Sequence, residues 1–346
     1  MEASITLKTV IWIIVGILLA AGAAIAWQAK ALYHFAHLSA GAESTPLIFS
    51  IASGDSFSKV TQQLQVMGLV QDGFRFKVLA RIKGMDKTLK AGEYQLAKTM
   101  TPVQILDALV SGKTFLYRLT IPEGYNLLQI AEEADRQGLG NAAQFAEFAS
   151  SPETALAFGI EASGLEGYLF PDTYLFPRGT SNQTLIAKMV ERFQEQFPLE
   201  WRQRADALNM SIHEIVTLAS IIEKETGDPS ERPVIASVFH NRLKKGMRLE
   251  SDPTVIYGIE NFDGNITRHH LKTPTPYNTY TIRGLPPGPI ANPGRDAIKA
   301  ALYPADTDYL FFVSRKDRTH QFSTTIEEHN AAVRKYQLRR RRQPAS

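Results

Sequence analysis

The first hydrophobic pattern in the chain is also its longest. From Thr9 to Trp27, TVIWIIVGILLAAGAAIAW, no residue is charged. At about 1.5 Å of rise per residue, such a run wound as a helix crosses a ~30 Å hydrocarbon core with little tilt. Trp12 and Trp27 lie near its ends and Lys8 and Lys30 bracket it, as interfacial residues do. A cleaved signal peptide, with Ala24-Ile25-Ala26 as its processing site, is the rival reading. The uncharged run exceeds the ~7–15-residue apolar region of such peptides, which favours an anchor. Lys8 and the α-amine, offset by Glu2, oppose Lys30 across the run, so the flanking charges do not orient it. No later stretch is comparably long and uncharged, so a single pass is predicted.

Residues 28–45 read as a juxtamembrane helix entering a polar linker, after which a shorter pattern appears and repeats. Phe49–Gly68 (FSIASGDSFSKVTQQLQVMG) and Leu119–Gly138 (LTIPEGYNLLQIAEEADRQG) match at an offset of 70 positions, pairing Ile51 with Ile121, Gly54 with Gly124, Val60 with Ile130 and Gly68 with Gly138. Each copy predicts a short strand, a glycine turn and an amphipathic helix closed by glycine. The parallel extends through helices containing Phe76 or Phe145 and strand candidates Leu89–Leu96 and Leu165–Phe176, then helices at Thr101–Val110 and Ser181–Phe197. Two related small α/β units are expected; a chance match is the alternative.

Further on, Ser211 followed by Glu214 forms a capping box that starts a helix over Ser211–Thr226, with Ile215, Leu218, Ala219 and Ile222 as its core face. Pro233–Gly246 reads as a second helix. From Arg248 to Gly294 the chain is dense in Gly, Pro, Asn and Tyr, and no regular pattern explains it. A helix at Arg295–Leu302, a hairpin of Tyr309–Arg315 with His320–Thr325, and a last helix Ile326–Arg342 complete the chain.

Composition mainly excludes. The 346 residues are 44% hydrophobic and 21% charged, too apolar for a disordered chain and long enough for two or three domains. The absence of cysteine removes disulfides, thiolate metal sites and cysteine nucleophiles, and leaves the compartment open. A net charge of +3 is no footprint for nucleic acid. The motifs GxxxxGK[ST], GxSxG and HExxH do not occur. His269 and His270 are adjacent, His213 and His240 lack a second ligand at metal-binding spacing, and His320 and His329 read as ordinary, so neither metal nor cofactor is predicted. The Arg339–Arg342 run reads as a solvated tail, with a membrane-surface or anionic-polymer contact as the alternative.

Chemistry concentrates on the helix over Ser211–Thr226. At ~100° per residue, Lys224 falls opposite the core face, and Glu223 and Glu225 fall on opposite shoulders. A half-shielded carboxyl can hold a proton near neutral pH. Glu223 has Ala219 and Ser220 on the preceding turn, small side chains that leave room for a ligand, whereas Ile221 and Ile222 crowd Glu225. Glu223 is therefore the favoured cleft acid, against the ordinary reading of a surface or capping residue. Long ordered loops are commonly functional. Within 248–294, Tyr277, Asn278, Tyr280 and Asn292 offer flat faces and amides suited to sugars, or else pack as structural turns. Asp252, before Pro253, is a second carboxylate or a helix cap.

The run LASIIEKETGDPSERPVIASVFHNRLKKGMRLESDPTVIYGI, with YNTYTIRGLPPGPIANPG downstream and EGYLFPDTY upstream, resembles the YceG-like family of endolytic murein transglycosylases. The resemblance covers most of the chain and carries several expectations. The fold is α+β: a single N-terminal transmembrane helix, a LysM-like α/β module and a mixed α/β catalytic domain. The segments are a cytoplasmic 1–8, a membrane helix 9–27, a linker 28–45, a LysM-like module 46–117, a related connecting unit 118–200, a catalytic region 201–338 and a basic tail 339–346. The first Glu of the family's ASI-x-EKE-T pattern carries catalysis and maps to Glu223, with Asp252, Tyr277, Asn278, Tyr280 and Asn292 toward substrate. The implied activity is cleavage of the MurNAc-β-1,4-GlcNAc bond of nascent glycan strands with 1,6-anhydro-MurNAc ends. The implied location is the cell inner membrane with a periplasmic catalytic part, and peptidoglycan synthases are implied partners. A hydrolytic muramidase using Glu223 and Asp252, and a non-catalytic glycan-binding scaffold, are the competing functions.

Overall fold

The structure, a computed structural model, describes residues 7–260 and 262–338. Glu2 in the N-terminal flank and the Arg339–Arg342 run lie outside the described residues. The chain divides into two compact units, Met1–Tyr117 and Arg118–Ser346.

The first unit contains α1 (Leu7–His37), β1 (Leu47–Ile51), α2 (Phe57–Val66), α3 (Gly73–Ile82), β2 (Gly92–Leu96) and α4 (Pro102–Ser111). By length and composition α1 can cross a membrane. Near its C-terminal end, Leu32, Phe35 and Ala36 pack onto the core formed by Phe49, Leu64, Phe76, Tyr94, Ile105 and their neighbours. β1 and β2 pair antiparallel with Leu47 opposite Leu96 and Ile51 opposite Gly92. α4 begins where its sequence signals place it, with Thr101 and Gln104 forming a capping box and proline in the first turn.

The second unit opens with β3 (Tyr117–Thr120), α5 (Leu127–Arg136), α6 (Ala142–Ala149), α7 (Pro152–Ala157), β4 (Thr173–Phe176) and α8 (Asn182–Gln196). With α7 set aside, this repeats the order β-α-α-β-α of the first unit. The matched glycines share a left-handed backbone, φ +86° and +77° at Gly54 and Gly124, +68° and +65° at Gly68 and Gly138. Beyond the repeat come α9 (Leu199–Ala207), α10 (Ile212–Glu225), α11 (Arg232–Lys244), α12 (Asp252–Tyr257), α13 (Arg268–Lys272), α14 (Arg295–Leu302), β5 (Phe311–Ser314), β6 (His320–Ser323) and α15 (Ile326–Val333). Among the described residues the strands form three two-stranded sheets, β1-β2, β3-β4 and β5-β6, so the fold is mixed α/β.

Four local expectations change. α10 has its capping box at Ser211 and Glu214, but it is not amphipathic in place: every residue from Ile215 to Ile222 is buried. The stretch 248–294 is not wholly irregular, since α12 and α13 lie within it. Leu165–Phe176 is strand only over its last four residues; Tyr168 N–H closes a turn onto Leu165 O at 3.0 Å. The last helix is α only to Val333 and continues as a π-helical turn, Arg334–Leu338.

Gly167, inside that turn, is sterically required. Its φ is +87°, and a Cβ there would sit 2.5 Å from Pro289 Cγ and 2.8 Å from Val216 Cγ1. Gly167→Ala is expected to destabilise the fold by roughly 2–4 kcal/mol, the cost of a left-handed alanine plus overpacking. Urea unfolding should show this as a lower midpoint with an unchanged slope.

Candidate active site

α10 delivers Glu225 from its last turn to the start of α12. The Ser251 hydroxyl donates to Glu225 Oε1 at 2.6 Å. Ser251 is itself pinned: its N–H donates to Thr279 Oγ1 at 3.0 Å, and its carbonyl accepts from the Thr254 hydroxyl at 2.7 Å. Thr254 and Thr279 are buried and bonded to each other at 2.8 Å. Upstream, the buried Arg242 of α11 donates through Nε to Leu310 O and through Nη1 to Arg248 O, Leu249 O and Glu250 Oε2, at 2.6–3.1 Å. That clamp holds Glu250 at φ +53°, an uncommon backbone for a residue with a side chain.

Burial pushes the Glu225 carboxyl up to about 7; the Ser251 hydrogen bond opposes the rise and the Asp252 charge adds to it. Residue Glu225 is half-buried, as are Glu223 and Glu166, and no protein donor among the described residues reaches Glu225 Oε2. Asp252, exposed, accepts the Tyr280 phenol on Oδ1 at 2.7 Å. Burial first, and then this bond to Asp252, push the Tyr280 hydroxyl well above its ordinary value. Of the residues expected from the sequence, Asp252 and Tyr280 are thus brought together, and the carboxyl they adjoin is Glu225.

Glu223, expected from spacing and from the family pattern as the cleft acid, stands two residues away in an ion pair. Its Oε1 accepts Arg232 Nη2 at 2.9 Å, its Oε2 accepts the Gly294 N–H at 3.0 Å, and its side chain is 8% exposed. The space left by the small residues preceding it holds protein rather than ligand, for the Ile290 N–H donates to Ser220 Oγ at 3.0 Å.

An open cleft of about 670 Å³ lies within the same unit, lined by Glu166, His213, Tyr257, Phe262, Tyr277 and Pro289 among others. The Tyr257 and Tyr277 rings stand 4.8 Å apart, tilted by 57°. His213 is spent on structure, bonded to the Tyr168 hydroxyl and to Pro287 O, each at 2.9 Å. Burial also pushes the Glu166 carboxyl up to about 7. Its oxygens accept the Leu127 N–H, the Tyr257 hydroxyl and the Asn292 amide at 2.9–3.1 Å.

Asn278 and Asn292 build the walls and are not presented to a ligand. Both are fully buried. The Asn278 amide donates to the carbonyls of His270, Leu271 and Thr273. Asn292 donates to Tyr125 O as well as Glu166, and accepts the Leu169 N–H. Among the described residues no group of three His, Asp or Glu side chains is arranged to hold a metal. Sequence reasoning passed over Glu225, Ser251, Arg242 and Glu166. The signal for Glu225 was present, because crowding by Ile221 and Ile222 is itself what desolvates a helix-terminal carboxyl.

The geometry defines a mixed α/β protein with two carboxyls raised to about 7, Glu225 at the end of α10 and Glu166 in the lining of an aromatic-walled cleft. Residues 49–335 match the YceG-like family. A relative from Bacillus subtilis named endolytic murein transglycosylase is 34% identical over 311 residues, spanning 84% of this chain and 85% of the relative. One of the same name from Streptococcus pneumoniae is 32% identical over 295 residues, 76% of this chain and 53% of the relative. A solved YceG-like protein from Listeria monocytogenes superposes with a TM-score of 0.57 at 35% identity, covering 84% of this chain and 99% of that one. The chain belongs to the YceG-like family.

The two carboxyls raised to about 7 make stability depend on pH. A carboxyl with a folded pKa near 7 binds its proton more tightly folded than unfolded, so its contribution is full below the ordinary value of 4.5 and is lost as pH rises through 7. Glu166→Gln should therefore destabilise the protein at pH 4.5 by more than at pH 8. The gap is expected to narrow by on the order of 3 kcal/mol, read from urea unfolding across that range.

Proposed function

We propose that this protein is a peptidoglycan lytic transglycosylase, with Glu225 rather than Glu223 as its single acid and base. The observation that carries this assignment is a carboxyl raised to about 7 with one oxygen tethered to Ser251 and the other facing away from protein donors. Relatives at 34% and 32% identity bearing the name endolytic murein transglycosylase support the reaction class. In this reading the protonated Glu225 donates to the glycosidic oxygen between MurNAc and GlcNAc as the C1–O bond breaks. The resulting carboxylate then accepts the proton of the muramyl 6-hydroxyl while its oxygen bonds to C1, closing a 1,6-anhydro ring. No water is consumed. One group serves twice, so its pKa has to lie near the working pH, and two carboxylates at a set separation are not required.

Asp252 tunes and frames the acid. Its charge raises the pKa of Glu225, and Tyr280 fixes its orientation. A hydrolytic alternative would make Asp252 the base for water, and its position next to Glu225 is the one observation that favours it. Product mass separates the two, since anhydro ends are one water lighter than hydrolysed ends. The cleft walled by Tyr257 and Tyr277 suits the apolar faces of sugar rings. We further propose that α1 anchors the protein in the cell membrane with the remainder on the outer side, and that 46–117 is a LysM-like glycan-holding module. The β-α-α-β order of its first four elements after α1 supports the latter.

Glu225→Gln should lower kcat on uncrosslinked glycan strands by ~10²–10⁴-fold while leaving the protein folded. Glu223→Gln should lower thermal stability and retain the larger part of turnover; if Glu223→Gln alone abolished release of anhydro fragments, the assignment would be wrong. The alkaline limb of the pH–rate profile reports the acid, which must be protonated to act. Asp252→Asn should move that limb to lower pH, and Ser251→Ala should move it to higher pH.

A further inference from the structure

α3 carries an apolar stripe that its own core does not use. Phe76, Leu79 and Ala80 are buried, whereas Phe74 is 77% and Ile82 70% exposed. Val78 lies between these two at four-residue spacing, so the three share one helix face. The stripe faces α1. Phe74, Val78 and Ile82 wall an open groove of about 720 Å³ together with Ala24, Ile25 and Leu32. Cationic side chains accompany it in sequence: Arg75, which lines the groove, with Lys77 and Arg81 on α3, then Lys83 and Lys87. They outnumber the local acids, which are Asp72 at 3.5 Å from Arg75, Asp107 at 3.6 Å from Lys83, and Asp86.

The position of the groove along α1 identifies its occupant. The uncharged run ends at Trp27. At about 1.5 Å per residue, positions 24–32 cover ~12 Å centred just past that end, which is the depth of a headgroup layer when the run spans the hydrocarbon. Trp27 and Tyr33, 64% and 70% exposed, stand at the same level, as aromatic residues do at a membrane boundary. The apolar stripe is therefore continuous with a helix surface that itself needs lipid cover. We infer that α3 is a membrane-docking element: Phe74, Val78 and Ile82 enter the interface of an anionic phospholipid bilayer, with Arg75, Lys77 and Arg81 against the phosphates. This rests on the reading of α1 as an anchor.

The chain has no cysteine, so single-cysteine variants report site by site. Full-length Phe74→Cys, Ile82→Cys and Ile14→Cys, each labelled with an environment-sensitive fluorophore, would be reconstituted into phosphatidylcholine vesicles with and without phosphatidylglycerol. The vesicles would carry nitroxide lipids quenching at either headgroup or mid-bilayer depth. The expected result is mid-bilayer quenching at position 14 and headgroup-depth quenching with a blue shift at 74 and 82. The docked-to-free ratio should fall about fivefold for each of Arg75, Lys77 and Arg81 changed to alanine in the anionic vesicles. Quenching at 14 with water-like emission at 74 and 82 would overturn the docking and leave the anchor standing. Absence of quenching at 14 would overturn the anchor and the docking with it. A blue shift at 74 that grows with protein density and escapes nitroxide quenching would assign the stripe to a second copy of the chain, and overturn the proposal.

Discussion

The second unit is organised by a helix that cannot tolerate water on any side. From Ile215 to Ile222, α10 has no exposed residue, and a helix apolar all round must be encased by its neighbours. α9, α11, α12 and α14 supply that casing, together with the proline-rich segment around Ile290. The two hydroxyls on this helix are satisfied without solvent. Thr217 returns its proton to His213 O, and Ser220 donates to Thr217 O while accepting from Ile290. Each buried polar group left unpaired here would cost about 1–3 kcal/mol, so the loop path past Ser220 is as constrained as the packing.

That casing accounts for the different fates of the two glutamates beyond Ile222. Glu223 accepts from a guanidinium and a backbone N–H, with Glu123 sharing the same Arg232. Around Glu225 the neighbours are a hydroxyl and a second carboxylate, and the carbonyl end of α10 adds further negative partial charge beside it. The same helix end therefore pairs one carboxyl with Arg232, while burial raises the pKa of the other. Arg242 makes the second outcome reproducible. By clamping 248–250 from the far side, it leaves Ser251 one place to stand and gives the Glu225 carboxyl one orientation, which is the pre-organisation an acid catalyst requires.

Elements were legible wherever a local rule decided them. The capping boxes at Thr101 and Ser211 follow from side chain-to-backbone bonds, and the glycines closing α2 and α5 from backbone bonds, all within a few residues. What could not be read locally was decided by contacts far apart in the chain. Whether Glu223 or Glu225 would be the free carboxyl depended on Gly294 and Ser251, 71 and 26 positions away. Asn278 and Asn292 looked like sugar ligands because an amide in a Tyr-rich loop reads the same whether it faces outward or inward. Their burial is fixed by the carbonyls of α13 and of Tyr125. Spacing on a helical wheel assumed a solvent face that α10 lacks from Ile215 to Ile222.

Two carboxyls in this unit are raised to about 7, and what separates structure from chemistry is how each is satisfied. Glu166 has donors on both oxygens: a helix-start N–H, a phenol and an amide. It joins α5, α12 and the 287–294 segment, and a proton moving on or off it would disturb three elements at once. Glu225 is bonded on one side only, to a hydroxyl that can accept as well as donate, so its protonation state can change with little strain on the fold. A raised pKa alone would have selected both residues. The free oxygen and the pinned serine are what favour Glu225 as the proposed acid. Glu166 is left as the group that holds the aromatic wall of the cleft in place.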